Sequence, residues 1–565
     1  MLLKTTRPDA RLNRLNSPTP IRSRATEEGS FQIPLWGVPF VLLLLYVCLF
    51  SGLGAIGLVG PDEPRYAAIA RAMSETHDWI TPRLWGTPWF EKPVLYYWAA
   101  GVAMRLFGVS EFAARLPSAL AALLAVVAVA WTALRSYGLG AAWYSLLMLP
   151  TSVAMIGFAR AASPDMLFAG FLTAAMAVAV EMLQKEKPGP ILRIAFGFFL
   201  GAAVLAKGPA AIILAGGATL CWSALSRQWT ASFRFLHPLV IAAFCATALP
   251  WYVLCALRNP DFLRVFLWQH NFERYTTPIF EHRQPFWFFG AIFLVAILPW
   301  LPILFTSIKN ADAQLRSSQR VNSPVLFVAC WAAFTLLFFS LSQSKLPGYI
   351  LPAIPPTILL LCVSMGMPAQ RKPGAFSGTI ASVGTILPIG VGIALTVWKH
   401  TSGVDAILHS GLIRGIEIAL SVAIVCGAGT IAFSIRRQRN NAVCVAACTV
   451  AILIVIASRL ILPGFDARYS ARPAGNWAIG MHSLGPSDVA VLDLPRAYQF
   501  GLNYYFNSDL PEWTPQNTTA RILFCGREAL ESPELSRING PDTTPATDDG
   551  KVFLVILKHP AENNK

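Results

Sequence analysis

Between residues 35 and 462 the chain alternates apolar stretches of about 20 residues with shorter polar gaps, the spacing expected of helices that each cross a bilayer. Thirteen such stretches are predicted, at about 35–58, 112–134, 140–158, 165–184, 191–206, 209–226, 237–256, 286–306, 323–342, 347–366, 376–397, 411–434 and 441–462. They lack the strict alternation of membrane-spanning strands, which argues against an outer-membrane barrel. The first long polar interruption runs from Val59 to Glu111, and two segments within it, Tyr66–Ser74 and Val94–Phe107, interleave aromatic and apolar positions with polar ones. That pattern predicts helices lying along the membrane surface. After Pro463 the charge rises, and short apolar runs beginning at Val489, Arg521 and Lys551 predict buried strands between turn-rich segments. The predicted fold is an all-α polytopic membrane protein with a small C-terminal α/β domain. Residues 1–34 form a polar leader, 35–462 the membrane domain with its first external loop at 59–111, and 463–565 the α/β domain.

Composition sharpens this picture. Of 565 residues, 55% are apolar and 13% charged, whereas roughly a quarter of residues are charged in soluble proteins. The formal charge of +15 does not point to nucleic acid, because the cations are scattered through short loops instead of forming a stripe. Membrane topology accounts for them better. With the N-terminus in the cytoplasm, the internal gaps hold Arg135; Lys185, Lys187 and Arg193; Arg227 and Arg234; Lys309, Arg316 and Arg320; Arg371 and Lys372; then Arg436, Arg437 and Arg439. The loop 59–111 and the C-terminal domain then fall outside. Nine of the ten cysteines lie within apolar runs and Cys525 stands apart in the tail, which argues against a disulfide framework or clustered zinc. The stretch from Met1 to about Phe31, rich in Ser, Pro and Arg, reads as a disordered cytoplasmic leader.

Ionisable residues at membrane depth are costly, so each is a candidate for function. Asp62 and Glu63 follow Gly60-Pro61 and precede Arg65, where a surface helix should begin. One of them could simply cap that helix. The external face also receives Glu91-Lys92, Arg160, Asp165, Lys207, His270, Arg274, His282-Arg283 and Lys345. Lys207 and Lys345 stand alone in very short external loops, where the charge rule disfavours them, and an anionic ligand would give them a reason to be there. Snorkelling at the end of a span is the structural alternative. Glu91 and His270 could bind a divalent cation such as Zn, Mg or Mn, although two ligands far apart in sequence are weak evidence. No organic cofactor is implied.

The motifs Pro61-Asp62-Glu63-Pro64-Arg65-Tyr66-Ala67, Phe90-Glu91-Lys92-Pro93, Ser163-Pro164-Asp165, Ala206-Lys207-Gly208, Leu249-Pro250-Trp251, His282-Arg283-Gln284-Pro285-Phe286-Trp287 and Lys345-Leu346-Pro347-Gly348-Tyr349 occur in the order found in the lipid A aminoarabinose transferases. The chain therefore resembles that family and, more widely, the GT-C glycosyltransferases that include the protein O-mannosyltransferases. The resemblance implies an inverting transferase of the bacterial inner membrane that takes a sugar from a polyprenyl-phosphate carrier. It implies Asp62 as the catalytic-centre carboxylate and Asp165 as its acidic partner. Arg65, Lys92, Lys207, Arg274, Lys345 and Tyr349 are implied to cradle the carrier phosphate, and Glu91 with His270 to hold a metal. The chain departs from the family pattern at Ser163, where a more apolar residue is expected, and by one extra residue between His270 and Arg274.

The expected partners are a polyprenyl-phosphate-linked sugar donor, lipid A or another periplasmic acceptor, and membrane lipids. If the acceptor is a hydroxyl, Asp62 would serve as general base. If it is a lipid A phosphate, already anionic near neutral pH, Asp62 would orient the sugar or contact its amino group. Transfer of mannose or another sugar to a protein or glycan hydroxyl is the competing enzyme reading. A transporter, the third reading, would carry midplane charges on broken helices, whereas the ionisable residues here gather in outer loops.

Overall fold

A computed structural model describes residues 31–273, 284–315, 324–366, 373–401, 410–481, 483–514, 520–530, 535, 542–547 and 550–557. The leader, for the most part, and Arg274, His282 and Arg283 lie outside the described residues.

All thirteen predicted apolar stretches fall on helices. Among the described residues, eight helices are long and apolar enough to cross a membrane, two bent pairs would each supply one more span, and Gly37–Phe50, Ala210–Ser226 and Pro324–Ser340 are shorter apolar helices. In the first bent pair, α5 (Leu139–Met148) and α6 (Val153–Ala159) meet at 59°; Phe288–Ala296 and Leu301–Ile308 meet at 108°. The first stretch also breaks: α1 (Gly37–Leu45) ends in a π turn over Tyr46–Phe50. Arg160, which follows α6, reaches the loosened carbonyls there, donating to Val47 O (2.9 Å), Cys48 O and Ser51 O (3.2 Å). An arginine first read as part of the outer charge cluster is thus occupied in closing a helix end.

The centre of the membrane domain is α4 (Glu111–Tyr137) against α7 (Pro164–Leu183). Buried alanines line both helices, and a Cβ on Gly170 would run into the backbone of Ala121. Small residues let the two backbones approach, which is how helices gain packing in a medium that offers no hydrophobic drive. The predicted surface helices are present as α2 (Asp62–Thr76) and α3 (Leu95–Phe107), joined through a short hairpin of β1 (Arg83–Leu84) and β2 (Thr87–Pro88). Tyr66, Tyr96 and Tyr97 fill the space between them as a ring cluster with centroids 6.0–6.2 Å apart.

The C-terminal domain carries the sheet β3 (Val489–Leu492), β4 (Ile522–Gly526), β5 (Asp542–Pro545) and β6 (Val552–Ile556), in the order β3-β4-β6-β5. β3 and β4 are parallel and linked through the helix Arg496–Phe506; the other pairs are antiparallel. Val491, Phe524 and Leu554 face Leu502 and Phe506 on one side, and Ala490, Leu523 and Val555 face Trp513 and Ala529 on the other. Covering on both faces explains why three of these strands read as unbroken apolar runs.

Candidate active site

Asp62 and Glu63 open α2, where carboxylates oppose the positive end of the helix. Their fates diverge. Glu63 turns inward and is buried: it takes Arg115 in a two-pronged pair (3.2 Å from Nε to Oε1, 2.7 Å from Nη2 to Oε2) and accepts from Val59 N (2.8 Å) and Ala162 N (2.6 Å). Arg115 spends its remaining donors on the carbonyls of Leu53, Ile56 and Gly57, each at 2.7 Å. Pro61, not Asp62, stands at the N-cap of α2, and Asp62 pairs with Arg65, its side chain 53% exposed. Of the two acidic residues, Glu63 therefore does the structural work and Asp62 is left open to a ligand.

Arg65 is the hub of the charges on this loop. Beyond Asp62 it faces Glu91 at 3.4 Å, and Glu91 in turn holds Lys92 at 3.2 Å. Three rings surround its guanidinium at 5.4–5.8 Å: Tyr66, Trp89 and Phe500 of the C-terminal domain. Burial opposes the Arg65 charge, but Glu91, Tyr66 and Asp62 outweigh it and hold the group protonated more firmly than usual. Burial first, then Glu91, pushes the hydroxyls of Tyr66 and Tyr97 well above the usual tyrosine range, so both stay neutral. The indole N–H groups of Trp85 and Trp89 and the Tyr97 hydroxyl are buried polar atoms with no hydrogen-bond partner among the described residues. Two of them, Trp89 and Tyr97, stand near Arg65, and such unmet donors suit a ligand rich in oxygen.

A second cluster forms where three elements end. Ser163 caps α7, its hydroxyl accepting from Asp165 N at 3.2 Å, so the residue that departs from the family pattern starts the helix that carries Asp165. Asp165 pairs with Lys207, the last residue of α8 (Pro190–Lys207), and the Lys207 ammonium sits 4.5 Å from the Tyr349 ring centroid. The charge of Lys92 also bears on Asp165, which links this cluster to the first. The turn Pro347–Ala353 presses so closely that a Cβ on Gly348 would meet the Asp165 carboxylate. Lys345 does not join them: its buried ammonium donates to Ser342 O in its own loop at 2.6 Å.

Glu91 and His270 line one cavity of about 500 Å³, together with Trp89, Asp261 and Arg264. No group of three metal-ligating side chains exists among the described residues, and both Glu91 oxygens already face a cation of the chain. As arranged, these residues do not fit a divalent metal. Arg274 lies outside the described residues.

Residues 35–266 match the family of dolichyl-phosphate-mannose-protein mannosyltransferases. The undecaprenyl phosphate-alpha-4-amino-4-deoxy-L-arabinose arabinosyl transferase of Edwardsiella ictaluri is 29% identical over 514 residues, covering 84% of this chain and 91% of the relative. The transferase of the same name from Aeromonas salmonicida is 31% identical over 341 residues, covering 58% and 59%. The crystal structure of ArnT from Cupriavidus metallidurans bound to undecaprenyl phosphate superposes with a TM-score of 0.76 at 24% identity, covering 93% of this chain and 98% of that one. The chain is a glycosyltransferase, with the fold of ArnT over nearly its whole length.

Sequence reasoning missed several residues that hold the transferase's site together. Arg115 left a signal, an arginine four residues inside an apolar stretch, which needs a buried partner. Asp466 and Arg472 pair with each other, and Arg472 Nη1 donates to Gly54 O (3.0 Å) while Gly57 N donates to Asp466 Oδ1 (2.8 Å). Nothing local marks that contact, since its partners are 409 residues apart. Phe500, against Arg65, left no signal either.

Proposed function

We propose that the transferase moves 4-amino-4-deoxy-L-arabinose from undecaprenyl phosphate to lipid A at the periplasmic face of the inner membrane, with the N-terminus cytoplasmic and the C-terminal domain periplasmic. The printed names of the relatives support the sugar and the carrier, and the arginine-bearing gaps support the orientation. The observation that carries the chemistry is the half-exposed Asp62 beside Arg65, which Glu91 joins to Lys92 on the same loop.

In this reading the carrier phosphate enters among Arg65, Lys92, Lys207 and Tyr349. An acceptor oxygen attacks the anomeric carbon as the bond to the phosphate oxygen breaks, and the electron pair leaves with undecaprenyl phosphate. Fixed cations offset the charge that grows on that oxygen, and do so more strongly at a partly dehydrated interface than in water. A lipid A phosphate needs no proton removed. Asp62, already held by Arg65, then contacts the amino group of the sugar and orients it.

Mass spectrometry of lipid A from cells with and without the protein tests the proposal: one added pentosamine is expected, and unchanged lipid A would favour transfer to a protein or glycan hydroxyl, the first of these being what the name of the mannosyltransferase family matched over 35–266 describes. Asp62→Asn and Lys92→Ala should each abolish transfer in membranes with the protein still abundant; wild-type rates in both variants would reject the site. Because Glu91 already holds two cations, EDTA should leave transfer unchanged. A loss restored by Zn, Mg or Mn would instead place a metal at Glu91 and His270.

A further inference from the structure

We propose that Phe500, on the C-terminal domain, is a positioning residue for Arg65, so that this domain forms part of the catalytic apparatus. The inference rests on the reading of Arg65 as a carrier-phosphate contact.

The Arg65 guanidinium has two kinds of neighbour. Asp62 and Glu91 lie on its own loop, and both would be disturbed by an arriving phosphate that competes for the same donors. The ring contacts are different, because an aromatic face attracts the cation without occupying its N–H groups. Trp89 and Tyr66 supply two rings from the loop, and Phe500 supplies the third, at 5.4 Å, from the helix Arg496–Phe506. Arg65 can therefore exchange its carboxylate partners for phosphate oxygens while the rings keep it in place.

Phe500 is itself braced. Its ring lies 5.7 Å from the indole of Trp85, which occupies the tight turn between β1 and β2 with φ at +47°. A left-handed backbone is uncommon for so bulky a residue and persists only where its surroundings over-determine it. The hairpin thereby aims Trp85 at Phe500. Flanking contacts fix the same helix against α2: Arg71 Nη1 donates to Tyr504 O at 3.4 Å and Asn507 Nδ2 to Glu75 Oε2 at 3.2 Å. The Arg496 guanidinium also sits 5.3 Å from the Phe500 ring, which places cations of both domains on one aromatic group.

The test uses the full-length protein in membranes, with kcat/KM for the lipid-linked donor and the melting temperature measured for Phe500→Tyr, Phe500→Leu, Arg65→Lys and the Phe500→Leu/Arg65→Lys pair. Tyr keeps the ring, whereas Leu keeps apolar bulk without an aromatic face. We expect Phe500→Tyr within about twofold of wild type and Phe500→Leu roughly tenfold lower at an unchanged melting temperature. Once Arg65 is Lys, the Leu substitution should cost less than about threefold further, because its effect passes through the guanidinium. Should Phe500→Leu loosen the fold, Phe500→Met makes the same comparison with a more adaptable chain. A wild-type rate in Phe500→Leu, or a full tenfold loss retained in the Arg65→Lys background, overturns the inference even where Arg65→Lys is itself impaired. Wild-type kinetics in Arg65→Lys would overturn the underlying reading of Arg65 and this inference with it.

Discussion

Two adjacent carboxylates, Asp62 and Glu63, divide the labour of one helix start. Glu63 is the buried anion between Arg115 and two backbone N–H groups, and removing one partner of such a pair leaves the other charge stranded. Glu63→Ala should therefore cost about 3–5 kcal/mol and reduce the folded protein recovered from membranes, measured by its melting temperature and abundance. Asp62→Asn should change neither, and lose transfer alone. Lys207 and Asp165 make the next contrast, with Lys345 as the control. Lys207→Ala and Asp165→Asn should each impair transfer, and the double variant should fall short of the sum of their losses, because the two groups neutralise one another. Lys345→Ala should act mainly on stability, since its ammonium serves a carbonyl of its own loop. The sequence identified Lys207 and Lys345 as equally anomalous. It could not tell them apart, because the difference lies in where each side chain turns.

At the scale of elements, the site is assembled from ends. Asp165 begins α7, Lys207 finishes α8, and the turn Pro347–Ala353 closes over them with Gly348 against the carboxylate. Gly348→Ala should push Asp165 from Lys207 and lower transfer at least about tenfold while circular dichroism shows the helices retained. Which stretches are helical was legible from apolar length alone, and so were α2 and α3 from their mixed faces. The breaks were not. The π turn after α1 sits inside an apolar run, and the 59° bend between α5 and α6 falls at Pro150-Thr151-Ser152, a local signal that apolar length alone does not register. Three strands of the C-terminal sheet were legible because both their faces are covered; β5, Asp542–Pro545, was not, since a polar edge strand resembles a loop.

At the scale of the whole molecule, the first loop and the last domain hold each other. Asp466 and Arg472 bind the backbone at Gly54 and Gly57, and Tyr505 receives the N–H of Leu58 (3.2 Å) while donating to Glu111 (2.9 Å). Burial, with Glu111 next, raises the Tyr505 hydroxyl above the usual tyrosine range, so it remains a neutral donor. Asp466→Ala leaves Arg472 only the longer pairing with Glu111 (3.7 Å) and backbone carbonyls, and should make the junction more open to limited proteolysis, cutting between the membrane domain and residues 483–514 at protease levels that spare the wild type. None of this was readable from a sequence in which the partners stand hundreds of residues apart.

The pairing of charges around the site has a further consequence. Asp62, Glu91 and Asp165 offset Arg65, Lys92 and Lys207 one for one. Among the described residues these six side chains therefore present little net charge to a leaflet beside them, and the headgroups of anionic phospholipids feel only a weak pull from them. In the proposed reading, entry belongs to a molecule that can take over several partnerships at once, and a carrier phosphate is sorted from other phosphates by exchange, not by attraction.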